Sequence, residues 1–437
     1  MPPLSRRAFI GAAALGAGGL VAGPARAQLE LDITRGFVEP MPIAISPLAG
    51  DGPQARELGE AIAQVIGADL DSSGLFRTID RRAYIQSAEE MRELPRFADW
   101  RQVNAQALVT GLVRSNGPAV IVEFRLWDVF GGNQLVGLRF DAAASQWRRL
   151  AHKIADAVYQ RLTGESGYFD TRIVYVSESG PAKRRIKRIA IMDQDGANHA
   201  FLTDGRDLVL TPRISPDTRQ VAYMAYRGQQ PRVFMRDIAG GRESVLGDFA
   251  GMTFSPRFSA DGRTLLVTMA QGGNSDIFAY DVASRRSRRL TDNAAIDTSP
   301  SFSPDGRRIV FNSDRGGAPH LYVMSASGGG AQRISFGSGR YGSPEWSPRG
   351  DLIAFTKIQG GQFHTGIMRP DGSDERLLTR SFEEENPTWS PNGRVILFYR
   401  SSGNRVRLFT VDITGYNERE VPTPQDGSDP DWSPLLP

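Results

Sequence analysis

The side chains that could carry chemistry are few and scattered. The 437 residues hold four histidines, His152, His199, His320 and His364. No two share a metal-ligand spacing, and no H-E-x-x-H occurs. There is no G-x-S-x-G nucleophile elbow and no cysteine, so thiolate chemistry and cysteine–metal sites are excluded. His152 falls alone on an expected helix, where a histidine is a structural or solvated residue. Asp193-Gln194-Asp195-Gly196 starts like a calcium loop, but the ladder of ligands stops there. Gly131-Gly132-Asn133 is a turn and not a phosphate loop, because no helix start follows it. Neither a catalytic centre nor a cofactor or metal site is expected.

Charge is more informative than any single residue, and its placement depends on a repeat. Six prolines, Pro212, Pro256, Pro300, Pro344, Pro387 and Pro430, stand 44, 44, 44, 43 and 43 residues apart. The fullest copy reads Ser299-Pro300-Ser301-Phe302-Ser303-Pro304-Asp305-Gly306-Arg307. A period in the low forties with strand-like content indicates a β-propeller. Each unit carries four strand signals, and the first surrounds the anchor proline. A turn follows in which Pro presets φ, Asp bonds back to the backbone and Gly takes the positive φ. Thr218 replaces that Gly in one copy; Arg349-Gly350-Asp351 inverts the order in another and is a turn, not an adhesion motif. Asp193 to Gly196 falls at the turn between strands three and four.

Five units are complete. The sixth is expected to be split. Ile173-Val174-Tyr175, Ile189-Ala190-Ile191 and His199-Ala200-Phe201 supply strands two to four. Strand one comes from Asp429-Pro430-Asp431-Trp432-Ser433-Pro434. Residues 169–437 therefore form a six-bladed ring closed by residues 429–434, without free edges.

In such a ring the loops from strand four to the next strand one open at one end of the central channel. They hold Asp204, Asp207, Asp248, Asp292, Asp297, Glu383, Glu384, Glu385, Asp426 and Asp429, against Arg206 and Arg340. The strand two–three loops carry Lys183, Arg184, Arg185, Arg227, Arg315 and Arg400 farther out. The expectation is a docking face, acidic at its centre and basic at its rim, that steers a partner.

Residues 28–165 do not repeat and read as an α/β domain. Leu29-Glu30-Leu31-Asp32-Ile33 alternates like a strand, and Ile43–Ile45 is a second. A helix opens at Pro53 with Leu58, Ile62, Val65, Ile66 and Leu70 on one stripe. A strand over 75–79, a short helix over 97–103 and strands over 107–114, 120–129 and 135–140 follow. Ser145 is expected to N-cap a last helix that ends at Gly164.

The first 27 residues read as a cleaved export signal. Ser5-Arg6-Arg7-Ala8-Phe9-Ile10 is twin-arginine-like, and Ala25-Arg26-Ala27 predicts cleavage between Ala27 and Gln28. Removing the signal lowers Lys+Arg from 52 to 49 against 49 Asp+Glu. A neutral chain has no basic footprint for nucleic acid, and no later segment is apolar enough to span a membrane.

An exported α/β domain followed by six blades with S-P-D-G-R-type turns resembles the TolB family of the Tol-Pal system. Leu29 to Gly36 and Pro42-Ile43-Ala44-Ile45-Ser46-Pro47-Leu48 are similar to that family's mature start. The resemblance implies a non-catalytic, monomeric adaptor in the periplasm. It would work with TolQ and TolR, keep the outer membrane intact and support its invagination during cell division. It implies binding of TolA through Leu29, Glu30, Leu31, Asp32, Ile33 and Thr34. It implies binding of the lipoprotein Pal through a propeller face that includes Met252, Thr253, Phe254, Ser255 and Thr298. The charge pattern adds Glu383, Glu384 and Glu385. The alternative is a propeller hydrolase or glycan-binding module with its ligand in the channel.

Overall fold

The computed structural model describes residues 29–31, 33, 38–228, 230–247 and 251–437. Ala27, Gln28, Asp32, Thr34 and Asp248 lie outside them.

The N-terminal domain is a mixed sheet in the order Phe76–Thr78, Met41–Ile45, Ala107–Asn116, Ala119–Asp128, Asn133–Ala143, with Ala49–Gly50 also paired to Ala107–Asn116. Met41–Ile45 runs parallel to both neighbours, and the last three strands form antiparallel hairpins. Helices α1 (Pro53–Ser72) and α3 (Trp147–Thr163) pack together with the apolar side chains of this sheet, while the short α2 (Phe97–Gln102) places Trp100 in a separate cluster. Pro53 occupies the first turn of α1, and Gly164 ends α3 at φ 75°.

Two expectations fail here. Ser145 caps nothing, because a 3-10 turn over Ala144–Gln146 precedes α3 and no side chain bonds its first turn. The described residues of the expected first strand, Leu29, Glu30, Leu31 and Ile33, pair with no strand. Leu31 N instead donates to Leu162 O at the end of α3 (2.7 Å), and Arg394 Nη1 of the propeller donates to Ile33 O (3.1 Å). Leu29, Leu31 and Ile33 pack on the domain core. The alternation that suggests a strand thus serves a segment pressed into a seam.

The propeller has six four-stranded blades. Five are continuous, beginning at Leu208–Ile214, Met252–Phe258, Asp297–Phe302, Arg340–Trp346 and Glu383–Trp389. The sixth takes its inner strand from Asp426–Trp432, paired antiparallel with Arg172–Ser179, then Ile186–Asp193 and Ala200–Phe201. The ring is closed by residues some 250 positions apart (Ser428 Oγ donates to Glu178 Oε1).

Every inner strand carries a bulge at its anchor proline. The residue before each proline, Thr211, Ser255, Ser299, Ser343, Asn386 or Asp429, is left-handed, with φ between 46° and 53°. The residue after it is Arg213, Arg257, Ser301, Glu345, Thr388 or Asp431. All of these but Thr388 line a cavity of about 390 Å³ walled by Phe258, Phe302, Trp346, Trp389 and Trp432. Arg257 Nη2 lies 2.9 Å from Glu345 Oε2, and Arg213 Nε is 3.7 Å from Asp431 Oδ1. Burial pushes the Glu345 and Asp431 carboxyls up, and Arg213 opposes it.

The turn between strands one and two repeats its hydrogen bonds. Ser303 Oγ donates to Asp305 Oδ1 (2.6 Å), Arg307 N donates to the same oxygen (3.0 Å), and Gly306 has φ 68°. The equivalent Gly262, Gly350 and Gly393 have φ 69°, 80° and 67°, but Thr218 holds φ 59° with a β-branched side chain. Left-handed backbone costs an L-residue about 1–2 kcal/mol. Thr218→Gly is therefore expected to stabilise the protein by about 1 kcal/mol, against a smaller loss from glycine's extra unfolded freedom. A thermal melt that stays level or falls would refute this.

Candidate functional site

The N-terminal domain sits on the face formed by the strand one–two and three–four turns. Asn392 Nδ2 donates to Ser166 O (2.9 Å), Asn417 Nδ2 to Ser72 O (3.0 Å), and Arg349 pairs with Glu165 (2.9 Å). One apolar core runs from α1 and α3 through Tyr168 and Phe169 to Tyr175, Leu397 and Trp432 of the propeller. The opposite face, built from the strand four–one and two–three loops, is left free of these contacts.

On that free face the expected separation of charge is largely cancelled. The rim arginines fold inward onto the acids. Arg185 Nη1 lies 2.6 Å from Asp426, Arg227 Nε 2.5 Å from Asp207, Arg315 Nη2 2.8 Å from Asp297 and Arg400 Nη2 2.9 Å from Glu384. Glu384 is fully buried and also accepts from Thr365 N (2.7 Å), so its carboxylate positions a strand and is not offered to solvent. Thr253 is likewise buried, its hydroxyl accepting from Val233 N. Glu383, Glu385, Phe254, Ser255 and Thr298 are half-buried, and Met252 is exposed. An acidic remnant stays at the channel: Glu385 accepts from Tyr399 Oη, and Asp429 accepts from Asn386 Nδ2. Burial pushes the Glu385 carboxyl up, and Asp429 and Glu383 push it further.

Apolar side chains are exposed on this face beside charged ones such as Asp204, Arg206 and Asp292, and the sequence reading missed most of them. Leu208, Met252, Ile296, Phe336 and Phe382 are 44%, 42%, 48%, 71% and 77% exposed. All five lie in or at the ends of strand four–one loops, around one mouth of the channel. Phenylalanines at these exposures have left water only in part, and apolar side chains exposed on one face make it a candidate interaction surface. Leu208, Met252 and Ile296 each stand four residues before their anchor proline, and that recurrence was the available signal.

The histidines divide between two environments. His320 Nδ1 is 3.0 Å from Ser335 Oγ, and Arg333 faces its Nε2 at 2.8 Å. Acyl transfer needs an accessible serine and a carboxylate behind the imidazole; Ser335 is fully buried, and burial, Arg333 and Lys357 all lower the His320 pKa. His364 Nδ1 meets Thr379 O, and His199 packs by Tyr175 and Phe201. His152 is not alone. Its Nδ1 is 2.7 Å from Asp69 Oδ2 on α1, and its Nε2 is 3.9 Å from Asp195 Oδ2 on the three–four turn of the split blade. Among the described residues these three form the one group whose His and carboxylate atoms gather closely enough to hold a metal.

Comparison with known proteins agrees with this architecture. The family model described as the TolB amino-terminal domain matches residues 29–135, and that of the TolB beta propeller domain matches residues 159–436. The Tol-Pal system protein TolB of Paramagnetospirillum magneticum is 54% identical over 213 residues, covering 48% of each chain, so the alignment spans about half the length of that curated relative. The crystal structure of TolB from Acinetobacter baumannii superposes with a TM-score of 0.82 at 29% identity, covering 93% of this chain and 100% of that one. A chain of a nidogen/laminin complex shares only the propeller fold, with a TM-score of 0.50 at 10% identity over 61% of this chain and 100% of that one. The α/β domain, the split sixth blade and the two matching family models together establish that this chain belongs to the TolB family.

Proposed function

We propose that the protein is a non-catalytic periplasmic adaptor of the Tol-Pal system, joining Pal on the free propeller face to TolA at the mature N-terminal segment, and through them supporting outer-membrane integrity and constriction at division. The observation that carries the reading is the apolar crown of Leu208, Met252, Ile296, Phe336 and Phe382 at the channel mouth. It lies opposite the N-terminal domain, so both partners have room at once. A closed ring is a rigid support for loops, and four of its loop pairs are locked by the inward ion pairs of Arg185, Arg227, Arg315 and Arg400. Aromatic side chains at the centre of such a face are where binding energy concentrates. No helix among the described residues is long and apolar enough to cross a membrane.

The test is calorimetric titration of the mature protein with the soluble domain of Pal. Phe336→Ala combined with Phe382→Ala is expected to weaken binding at least tenfold, about 1.4 kcal/mol or more, while the melt stays as in the parent because both side chains are exposed. Charge reversal at Glu383 is expected to change the salt dependence of binding; the same change at buried Glu384 would report misfolding. Parent-like affinity in the double variant would remove Pal from this face.

A further inference from the structure

Three elements distant in sequence meet at His152. Asp69 comes from α1, His152 and Arg148 from α3, and Asp193, Gln194 and Asp195 from the propeller. Asp69 and His152 are each 1% exposed. Asp69 Oδ2 faces Nδ1 of the imidazole, and Gln194 Nε2 donates to its other oxygen (2.8 Å). An ionised Asp69 accepts the Nδ1 proton, which fixes the tautomer and leaves the Nε2 lone pair pointing away. Nε2 is buried without a hydrogen-bond partner. Across 3.9 Å it faces Asp195 Oδ2, which also takes the Arg148 guanidinium. Beside them lies a cavity of about 180 Å³ lined by Asp69, Gln194, Asp195, Tyr168 and Asn417, among others.

We propose that Asp69, His152 and Asp195 form a binding site for a divalent transition cation, Zn²⁺ by its nitrogen–oxygen donor set, at the seam between the two domains. Imidazole nitrogen with carboxylate oxygen suits zinc rather than calcium or magnesium, which take oxygen alone. A carboxylate behind the ligating histidine is the usual means of orienting it and raising its basicity; Asp69 stands in that place. His152 Nε2 and Asp195 supply direct ligands, and the cavity that borders Asp195 is the source of the waters a four-coordinate shell would need. Three carboxylates, Asp69, Asp193 and Asp195, gather round the imidazole ring, with Arg148 on Asp195, Arg172 3.8 Å from Asp193 and Arg419 lining the cavity. The ion would tie α1 and α3 to the propeller, independently of any partner on the free face.

The experiment uses the mature protein stripped with chelator and titrated with zinc chloride by calorimetry at pH 8. Burial works against the imidazolium, but Asp69, Asp195 and Asp193 outweigh it and hold the His152 pKa above its ordinary value, and a protonated ring cannot ligate. One ion per chain is expected, with a rise in melting temperature that saturates at the same stoichiometry. Asp195→Asn, on a partly exposed turn, is expected to weaken binding at least tenfold with unchanged circular dichroism. Asp69→Asn is expected to weaken it about 10–100-fold. His152→Gln should abolish it; if that variant does not fold, Asp195→Asn decides alone. Zinc uptake unaffected by Asp195→Asn, or equal stabilisation by calcium, would overturn the site. So would a melt raised by acid and indifferent to zinc, which would make the cluster a proton-binding one.

Discussion

Trp432→Ala is expected to lower stability by roughly 3–5 kcal/mol, the cost of emptying a well-packed aromatic site. Few single changes in this chain should cost more, because Trp432 belongs to three structures together. It is the inner-strand aromatic of the sixth blade, paired with Ile173. It lies edge-on to Tyr168 at 5.8 Å in the core shared with the N-terminal domain. Its indole Nε1 donates to Thr171 Oγ1 (2.9 Å), a bond that truncation removes while that hydroxyl keeps its own bond to Tyr168 O. Removing residues 429–437 goes further. It takes away Asp431 Oδ2, which accepts from Ile214 N (2.8 Å). It also removes Ser433, which exchanges two hydrogen bonds with Arg172, and the Leu436 N bond to Asp170 O (2.9 Å). The Ile173–Val174 end of Arg172–Ser179 would then be unpaired, an aggregation hazard. The truncated chain should lose its cooperative melt and its monodispersity. A deletion that melts like the parent would show that the blade does not need its inner strand.

The second large effect is expected at Arg394. Its guanidinium is buried, with Nε 2.6 Å from Asp412 Oδ2, Nη1 3.1 Å from Ile33 O and Glu165 at 4.0 Å. Arg394→Ala leaves Asp412 buried without its cation, which costs about 3–5 kcal/mol. It also frees the N-terminal segment, held otherwise by Leu31 N on Leu162 O. Two readouts follow: a lower denaturant midpoint, and faster proteolysis before residue 40 while the rest of the chain resists. Arg394→Lys should recover part of the stability but little of the protection, since an ammonium cannot bond Asp412 and Ile33 together as the fork does. A midpoint within 1 kcal/mol of the parent would mean that Asp412 finds solvent. On the proposed adaptor reading, the same variant should bind TolA more tightly, because the N-terminal segment's contact with Arg394 competes with its use by TolA.

Much of the fold was legible in the sequence, for a definite reason. A propeller repeats one local pattern, so the prolines, the Ser–Asp turn bonds and the left-handed glycines report the same geometry in copy after copy. The split blade followed because an unmatched inner strand and three unmatched outer ones must pair. Where no repeat averages the signal, local pattern misled. Alternation at Leu29–Ile33 signified a segment pressed on α3 and Arg394, and Ser145 was displaced from its cap by a 3-10 turn. The free face of the propeller was legible in location but not in chemistry. Counting charges by loop cannot tell that Arg400 reaches Glu384 or Arg315 reaches Asp297, so acids that cement the blades were read as bait. The His152 cluster was out of reach, since Asp69 and Asp195 come to it from opposite ends of a long chain path.

The split blade also sets an order of events. Residues 172–201 are made early, yet they wait for residues 426–432 before they have an inner neighbour. Contacts of such separation are slow to form. No partial chain can close the ring, whatever its length short of the last strand. Until then the sixth blade lacks its inner edge, and it is one of the blades that meet the N-terminal domain. Closure is therefore the last step of assembly, and a chain stopped before residues 426–432 keeps an open seam in the ring.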